Sequence, residues 1–280
     1  MLLLVPGDPL RPRRPDEHFA AEAAAARVRG IDVALVDHDA LTRGGPADAA
    51  VARVPAGSGP ASYRGWMLRT EQYAAMATAL AAREVELRTS PEQYQRGHEL
   101  PGWYAALVGH TPETAWTLDD TRGAFEQACA VLGGGPAVLR DFTKSMKHYW
   151  NEAAYVPDVA DGGAAWRVAS RFRELRDDEF TGGFVLRRFE TFTGAEARTW
   201  WVNGNCRLVT AHPDTAADAP AADVDVASVA PSIAQLGLPF VTADLVRHAD
   251  GRWRVVELGD GQVSDRPAST PAEEFIAAIT

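Results

Sequence analysis

The sequence predicts an α+β fold, and two observations carry that prediction. The first is an opening in β-α-β order. Leu2–Val5 is a short apolar run, Pro15-Asp16 opens an amphipathic segment to about Arg29 with Phe19, Ala23 and Ala26 on one face, and Ile31–Val36 is apolar again. The second is a late series of period-two segments ending in Pro239–Val246 and Trp253–Leu258, joined through His248-Ala249-Asp250-Gly251. A helix between two strands suits parallel pairing, whereas a short turn joins an antiparallel pair. A small α/β part is therefore expected to precede a largely antiparallel part.

The elements follow in order. Gly30 ends the first helix, and Asp37 and Asp39 read as turn residues at the end of the second strand. Residues 43–61 are rich in Gly, Ala, Pro and Ser and read as a loop. Tyr63–Leu68 is a candidate strand, Thr70 caps a helix over Glu71–Arg83, and Val85–Arg88 is a strand. Helices are expected over Pro91–Leu100 and Thr121–Leu132, before the break at Gly133-Gly134-Gly135-Pro136. Ala137–Phe142 reads as a strand, Ala164–Leu175 as a helix, and Phe184–Phe189, Ala197–Val202 and Arg207–Ala211 as strands. His212–Val224 is a loop and Val226–Leu236 a helix. The change in character around residues 110–135 divides the chain into domains of 1–115 and 116–280.

Composition narrows the function classes. Of 280 residues, 46% are hydrophobic and 24% charged, as in soluble globular proteins. A net charge of −10 argues against a nucleic-acid partner, which calls for a basic face, but permits a small anion in a local basic pocket. Cys129 and Cys206 have neither metal-site nor disulfide spacing. The Met1–Val5 run is too short for a signal-peptide core, and no apolar run reaches membrane-spanning length. A cytoplasmic protein is the expectation.

Lys144 and Lys147 are the only lysines, against 26 arginines. Lysine is a compact point charge where arginine is a planar fork, so two lysines kept three residues apart point to phosphate binding. The plainer alternative is two surviving surface lysines. On the late hairpin, Asp244 and Glu257 lie one on each arm. Opposed carboxylates repel unless a cation sits between them, and oxygen ligands suit Mg²⁺. Asp260 and Gln262 offer further oxygens. The plainer alternative there is a solvated hairpin face. Glu196 and Arg198, two apart, share a strand face as a site pair or a structural ion pair. Arg64 and Arg69 are candidate grips on an anionic substrate, and Trp66 reads as a core residue. The chain has no G-x-G-x-x-G, no P-loop and no histidine spacing that calls for zinc.

This ordered set resembles the ATP-grasp superfamily. Tyr63-Arg64-Gly65-Trp66-Met67, Lys144-Ser145-Met146-Lys147-His148-Tyr149-Trp150 and Val256-Glu257-Leu258-Gly259-Asp260-Gly261-Gln262-Val263-Ser264 further resemble a clade of it named for one arginine and two lysines. The resemblance implies an ATP-grasp-like α+β fold, with a small N-terminal α/β domain and antiparallel lobes around a nucleotide cleft. It implies ATP and Mg²⁺ as cofactors. Arg140, Lys144 and Lys147 become phosphate ligands, and Arg188, Phe189 and Glu190 the linker beside adenine and ribose, with Glu196 after it. Arg187 and Arg198 become the catalytic cations, His148 joins Arg64 and Arg69 at the substrate, and Asp244, Glu257 and Asp260 bind metal. Three positions depart from the pattern: Gly259 where Asn is common, Arg140 where Lys is common, and a phosphate-covering segment poor in glycine. The implied activity is a carboxylate–amine ligase acting on a small acid and amine, with neither nucleic acid nor membrane as partner. A small-molecule kinase and a non-catalytic nucleotide-binding module are its rivals.

Overall fold

β1 (Leu2–Pro6) is buried at every position in the computed structural model, which describes residues Met1–Thr280. Continuous burial is what a central parallel strand requires. A 3-10 turn over Glu17–Phe19, capped by Asp16, leads into α1 (Ala20–Val28), and Gly30 at φ +74° supplies the left-handed residue that ends it. β2 (Asp32–Val36) pairs parallel with β1 from Leu2↔Asp32 to Pro6↔Val36. α2 (His38–Thr42) and α3 (Ala47–Ala50) follow. β3 (Gly59–Tyr63) takes the other side of β1, and α4 (Thr70–Ala81) leads to β4 (Val85–Leu87). The resulting parallel sheet has the order β2-β1-β3-β4.

α5 (Pro91–His98) and α6 (Leu100–Tyr104) lead to β5 (Thr114–Trp116). α7 (Arg122–Leu132) starts on the side-chain cap of Thr121 and stops at Gly133, φ +84°. β6 (Ala137–Arg140), β7 (Tyr155–Val156), α8 (Gly162–Arg176) and β8 (Val185–Arg188) complete an antiparallel sheet of order β5-β8-β6-β7. β9 (Phe192–Val202), β10 (Asn205–Ala211), α9 (Val226–Gln235), β11 (Phe240–His248), β12 (Trp253–Asp260) and α10 (Ala272–Ile279) finish the chain. Their sheet order is β10-β9-β11-β12.

Two compact units result. One holds Met1–Gly97, Ala195–Leu245 and Glu257–Thr280, and the other His98–Gly194 and Val246–Val256. In the first, Leu3, Val5, Phe19 and Ala23 pack with Trp200, Phe240, Phe275 and Ile276. In the second, Phe125, Leu139, Phe172, Phe184 and Leu186 form the core. The first unit interleaves segments from both ends of the chain, because the apolar face of α1 is closed by α10 and by residues of β9 and β11.

The α+β class and most elements stand as read. Strand β3 is the clearest displacement: it occupies Gly59–Tyr63, inside the segment expected to be a loop, and Arg64–Leu68 leave the sheet. Asp37, expected in a turn, caps α2 by accepting from the Ala40 N–H at 3.0 Å. Helices shorter than two turns leave almost no periodic signal.

Candidate active site

The lysine segment of the second unit is built by its neighbours. Asp141 is completely buried. Its Oδ1 accepts from the backbone N–H groups of Thr143 and Lys144, both at 2.7 Å, and from the Thr143 hydroxyl at 3.0 Å. Its Oδ2 accepts from Arg176 Nε at 2.8 Å. Side-chain acceptors of this kind fold tight turns. Arg140 is buried too, and its guanidinium donates to the Thr143 carbonyl at 2.8 Å and the Asp141 carbonyl at 3.3 Å. These bonds make the Arg140 guanidinium part of the loop that carries Lys144. Lys144, Lys147 and His148 are exposed on that loop.

The arginines at the end of β8 are likewise engaged. Arg188 donates to the Gly134 and Leu132 carbonyls and reaches Glu113 at 3.4 Å, so it ties down the end of α7. Arg187 is buried; it donates to the Thr111 hydroxyl at 2.6 Å and to the Val256 carbonyl, and ties β8 to the start of β12. Glu190 is clamped by Arg254 at 2.7 and 2.9 Å, a two-point pair of the kind that fixes geometry. Phe189 is about one-third exposed, at 36%, and lies edge-on to Trp150 and Tyr155.

A separate cluster lies in the first unit. Asp244, on β11, is buried, and Arg198, on β9, grips it through Nε and Nη2, each at 2.8 Å. His212 Nε2 lies 3.5 Å from Asp244 and 3.8 Å from Glu196. Strand register explains the grouping. β9 and β10 pair at Thr210↔Arg198 and Ala211↔Ala197, so the next step brings His212 opposite Glu196. Burial alone would raise the Asp244 pKa, but Arg198, then His212, outweigh it and hold the carboxyl well below the usual carboxylate range. Burial likewise opposes charge on Arg198, yet Asp244, with smaller help from Glu257 and Asp265, raises its pKa. His212 is pulled down by burial and up by Asp244, and the net direction is up. His212 is the residue the sequence reading missed. A cross-strand partner becomes visible only once the β9–β10 register is known.

Two further expected site residues, Arg64 and Asp260, are buried in the first unit. Arg64 is buried inside the first unit and saturated. It meets Glu22 at 2.8 and 3.1 Å and donates to the carbonyls of Gly261, Gln262 and Ser264 at 2.7, 3.1 and 2.9 Å. It is an internal tie between α1 and the segment after β12. Asp260 is buried, and its Oδ1 accepts from the Gln262 backbone and side-chain nitrogens at 2.9 and 3.0 Å. Burial pushes its pKa up to about 7, and the Gln262 hydrogen bonds and Arg64 charge only partly oppose this. Asp260 lies close enough to Tyr73 and Tyr94 to help raise their hydroxyl pKa values. Glu257 is half-buried, and Arg69 is exposed at the N-terminal end of α4. At Gly259 a Cβ would meet Thr242 Oγ1 at 3.3 Å and Ser264 Oγ at 3.4 Å, so a larger residue there would require those two hydroxyls to shift.

Comparison with known proteins agrees with this architecture. No curated protein sequence matches. Among solved structures, the RimK domain protein ATP-grasp from Sphaerobacter thermophilus is 16% identical with a TM-score of 0.63, covering 100% of this chain and 98% of its own. The D-cycloserine synthetase DcsG is 19% identical with a TM-score of 0.61, covering 100% of both chains. The ATP-grasp ligase PsnB, solved with a minimal precursor, Mg and ADP, is 14% identical with a TM-score of 0.56, covering 99% of this chain and 96% of its own. At such identities the likeness is one of fold. The ATP-grasp domain family that is family 3 of the clade named for one arginine and two lysines matches residues 131–279, more than half of the sequence, and this chain belongs to it.

Proposed function

We propose that this chain is an ATP-dependent carboxylate–amine ligase using Mg²⁺. The observation that carries the reading is Asp244, a buried carboxylate kept ionised against a cationic neighbour, with Glu257 acting on the same guanidinium. Oxygen donors that already face a positive charge suit Mg²⁺, and Asp244 and Glu257 would hold it. Bound there, the metal would offset charge on the phosphoryl oxygens. Lys144 and Lys147 supply ammonium groups for the phosphates from a loop that Asp141 and Arg140 keep in shape. Phe189 and Glu190 are assigned to the adenine and ribose side. Arg69 and His148, both exposed, are assigned to the acid substrate. Arg198, which meets both Asp244 oxygens at 2.8 Å, is assigned to the transferring phosphoryl group.

The chemistry follows from the poor reactivity of a carboxylate toward amines. A carboxylate oxygen attacks the γ-phosphorus. The new O–P bond forms as the bond to the bridging oxygen breaks, and ADP leaves. The amine then attacks the acyl carbon. The C–N bond forms, the C–O bond to phosphate breaks, and inorganic phosphate and a proton leave. Ligases among the similar folds, the D-cycloserine synthetase and PsnB, support this class of reaction.

The test is ADP release from Mg²⁺-ATP across a panel of acids and amines. Full turnover is expected only with both substrates present. Glu257→Gln is expected to lower kcat about 100-fold while its melting temperature stays near that of the wild type. ADP release with acid alone, together with a stable phosphorylated product, would replace the ligase with a kinase. Nucleotide binding without turnover on any pair would leave a binding module.

A further inference from the structure

We propose that the open face of β3 and β4 binds a small monocarboxylate, with the carboxylate group on Arg88. The site lies within the first unit. None of Ser62, Glu86 and Arg88 has a part in the ligase reading, so the two stand independently.

Strand pairing builds the site. Leu3 pairs with Ser62 and Pro60 with Glu86 in parallel register, so these residues share one face of the sheet with Arg88, two positions beyond Glu86. The Arg88 backbone N–H donates to the Ala61 carbonyl at 2.8 Å, which carries the register one step past β4. On the opposite face Ala61, Tyr63 and Val85 pack with Tyr73, Met76 and Leu80 of α4. On the Ser62 face, α1 and α10 cover Leu3 and Val5, but β3 and β4 add no residue to that core. What remains there is a pocket of about 300 Å³, lined among others by Met1, Pro60, Ser62, Glu86, Leu87 and Arg88. That volume is at the lower end of the range for small-molecule sites.

Arg88 supplies the second observation. It is half-buried, yet its guanidinium meets no acceptor of the chain. Burial lowers its pKa, and no acid opposes the shift. The fold treats other enclosed arginines differently. Arg64 and Arg254 are held by carboxylates and carbonyls, and Arg140 and Arg187 by carbonyls. A cation that loses water without gaining a counter-charge is costly, and a bound anion removes that cost. The Ser62 hydroxyl lines the same pocket. It meets only the Met1 sulfur, a weak acceptor, at 3.9 Å, which leaves it able to donate to the same anion.

The rim sets the class of anion. The guanidinium fork matches the two oxygens of a carboxylate. Glu86 is exposed on the same face. One guanidinium offsets one negative charge, so a phosphate dianion would keep an uncompensated charge beside Glu86. A singly charged carboxylate escapes that repulsion, and its apolar part would lie along Met1 and Pro60.

The experiment uses the full chain without nucleotide, at low salt. The probe is 3-methylbutanoate, compared with its uncharged amide and with inorganic phosphate, and binding is titrated by saturation-transfer nuclear magnetic resonance and competition. The wild type is expected to bind the acid, and to bind the amide at least about tenfold more weakly. Arg88→Gln is expected to keep the wild-type circular dichroism spectrum and bind the acid about tenfold more weakly or worse. Arg88→Lys should fall between the two, because an ammonium lacks the fork. Glu86→Gln is expected to keep acid binding and to raise phosphate affinity about two- to fivefold. Equal affinity for acid and amide in the wild type would overturn the proposal, and that comparison needs no variant to fold. No binding of the acid, unchanged affinity in Arg88→Gln, or tighter binding of phosphate than of acid in the wild type would overturn it as well. Turnover of ATP is read in no arm, so this site and the ligase assignment fail separately.

Discussion

Arg64 and Lys144 are cations in two segments that the sequence singles out, and the fold uses them in opposite ways. Lys144 stands on an exposed loop, while Arg64 is 1% exposed and surrounded by acceptors. The lysines stand out in the sequence because two lysines against 26 arginines is a compositional anomaly. The role of Arg64 does not, since its acceptors are the carbonyls of Gly261, Gln262 and Ser264, which sequence distance hides. Surrounding Arg64 with Glu22 and Arg266 makes a buried charge group, in which Glu22 accepts from both arginines. Removing one member of such a group leaves a partly uncompensated buried charge, at a cost of about 3–5 kcal/mol. Arg64→Ala is accordingly expected to lower the free energy of unfolding in urea by that amount. Arg64→Lys should recover little, because an ammonium cannot match the two-point contact with Glu22. A variant that kept wild-type stability and changed only a substrate KM would return Arg64 to the substrate.

Elements were easiest to read where period and caps agree. α7 begins at Thr121 and stops at Gly133, both visible in the sequence, whereas β3 was displaced because the apolar residues after Tyr63 mimic strand alternation. The segment between β6 and β7 lies at the other extreme, because one carboxylate organises it. Asp141 satisfies two backbone N–H groups and a hydroxyl through Oδ1, and Arg176 through Oδ2. Hydrogen bonds to a charged group contribute about 1.5–3 kcal/mol each, so Asp141→Ala should loosen the loop well before the rest of the fold. The composition offers a direct probe. With lysine only at 144 and 147, a lysine-specific protease can cut this chain nowhere else. Cleavage under native conditions reports local opening when reclosing is fast. Asp141→Ala is expected to be cut about 10–100-fold faster than the wild type, at an unchanged far-ultraviolet circular dichroism spectrum. Equal rates would mean that Asp141 does not control the loop.

At the scale of the whole molecule, the order of segments along the chain differs from the grouping of segments in the compact units. A β-α-β opening followed by a change in character reads as two consecutive domains, and periodicity contains nothing to correct that reading. The structure instead assembles the first unit from three stretches of chain. Leu3, Val5 and Phe19 are buried against Trp200, Phe240 and Phe275, and α10 covers α1. The Tyr63 backbone N–H donates to Gln262 Oε1 at 3.2 Å, so even β3 ends on a residue from the far end of the chain. A fragment of residues 1–115 would keep its parallel sheet but expose one whole apolar face. Burying a large apolar side chain contributes about 1.5–3 kcal/mol, and net stabilities of about 5–15 kcal/mol cannot absorb the loss of several such contacts. The fragment is therefore expected to show no sigmoidal urea transition and to bind a hydrophobic dye, while the full chain unfolds cooperatively. A cooperative transition in the fragment would show that the parallel sheet and its own helices suffice. The closing role assigned to Trp200, Phe240 and α10 would then be wrong.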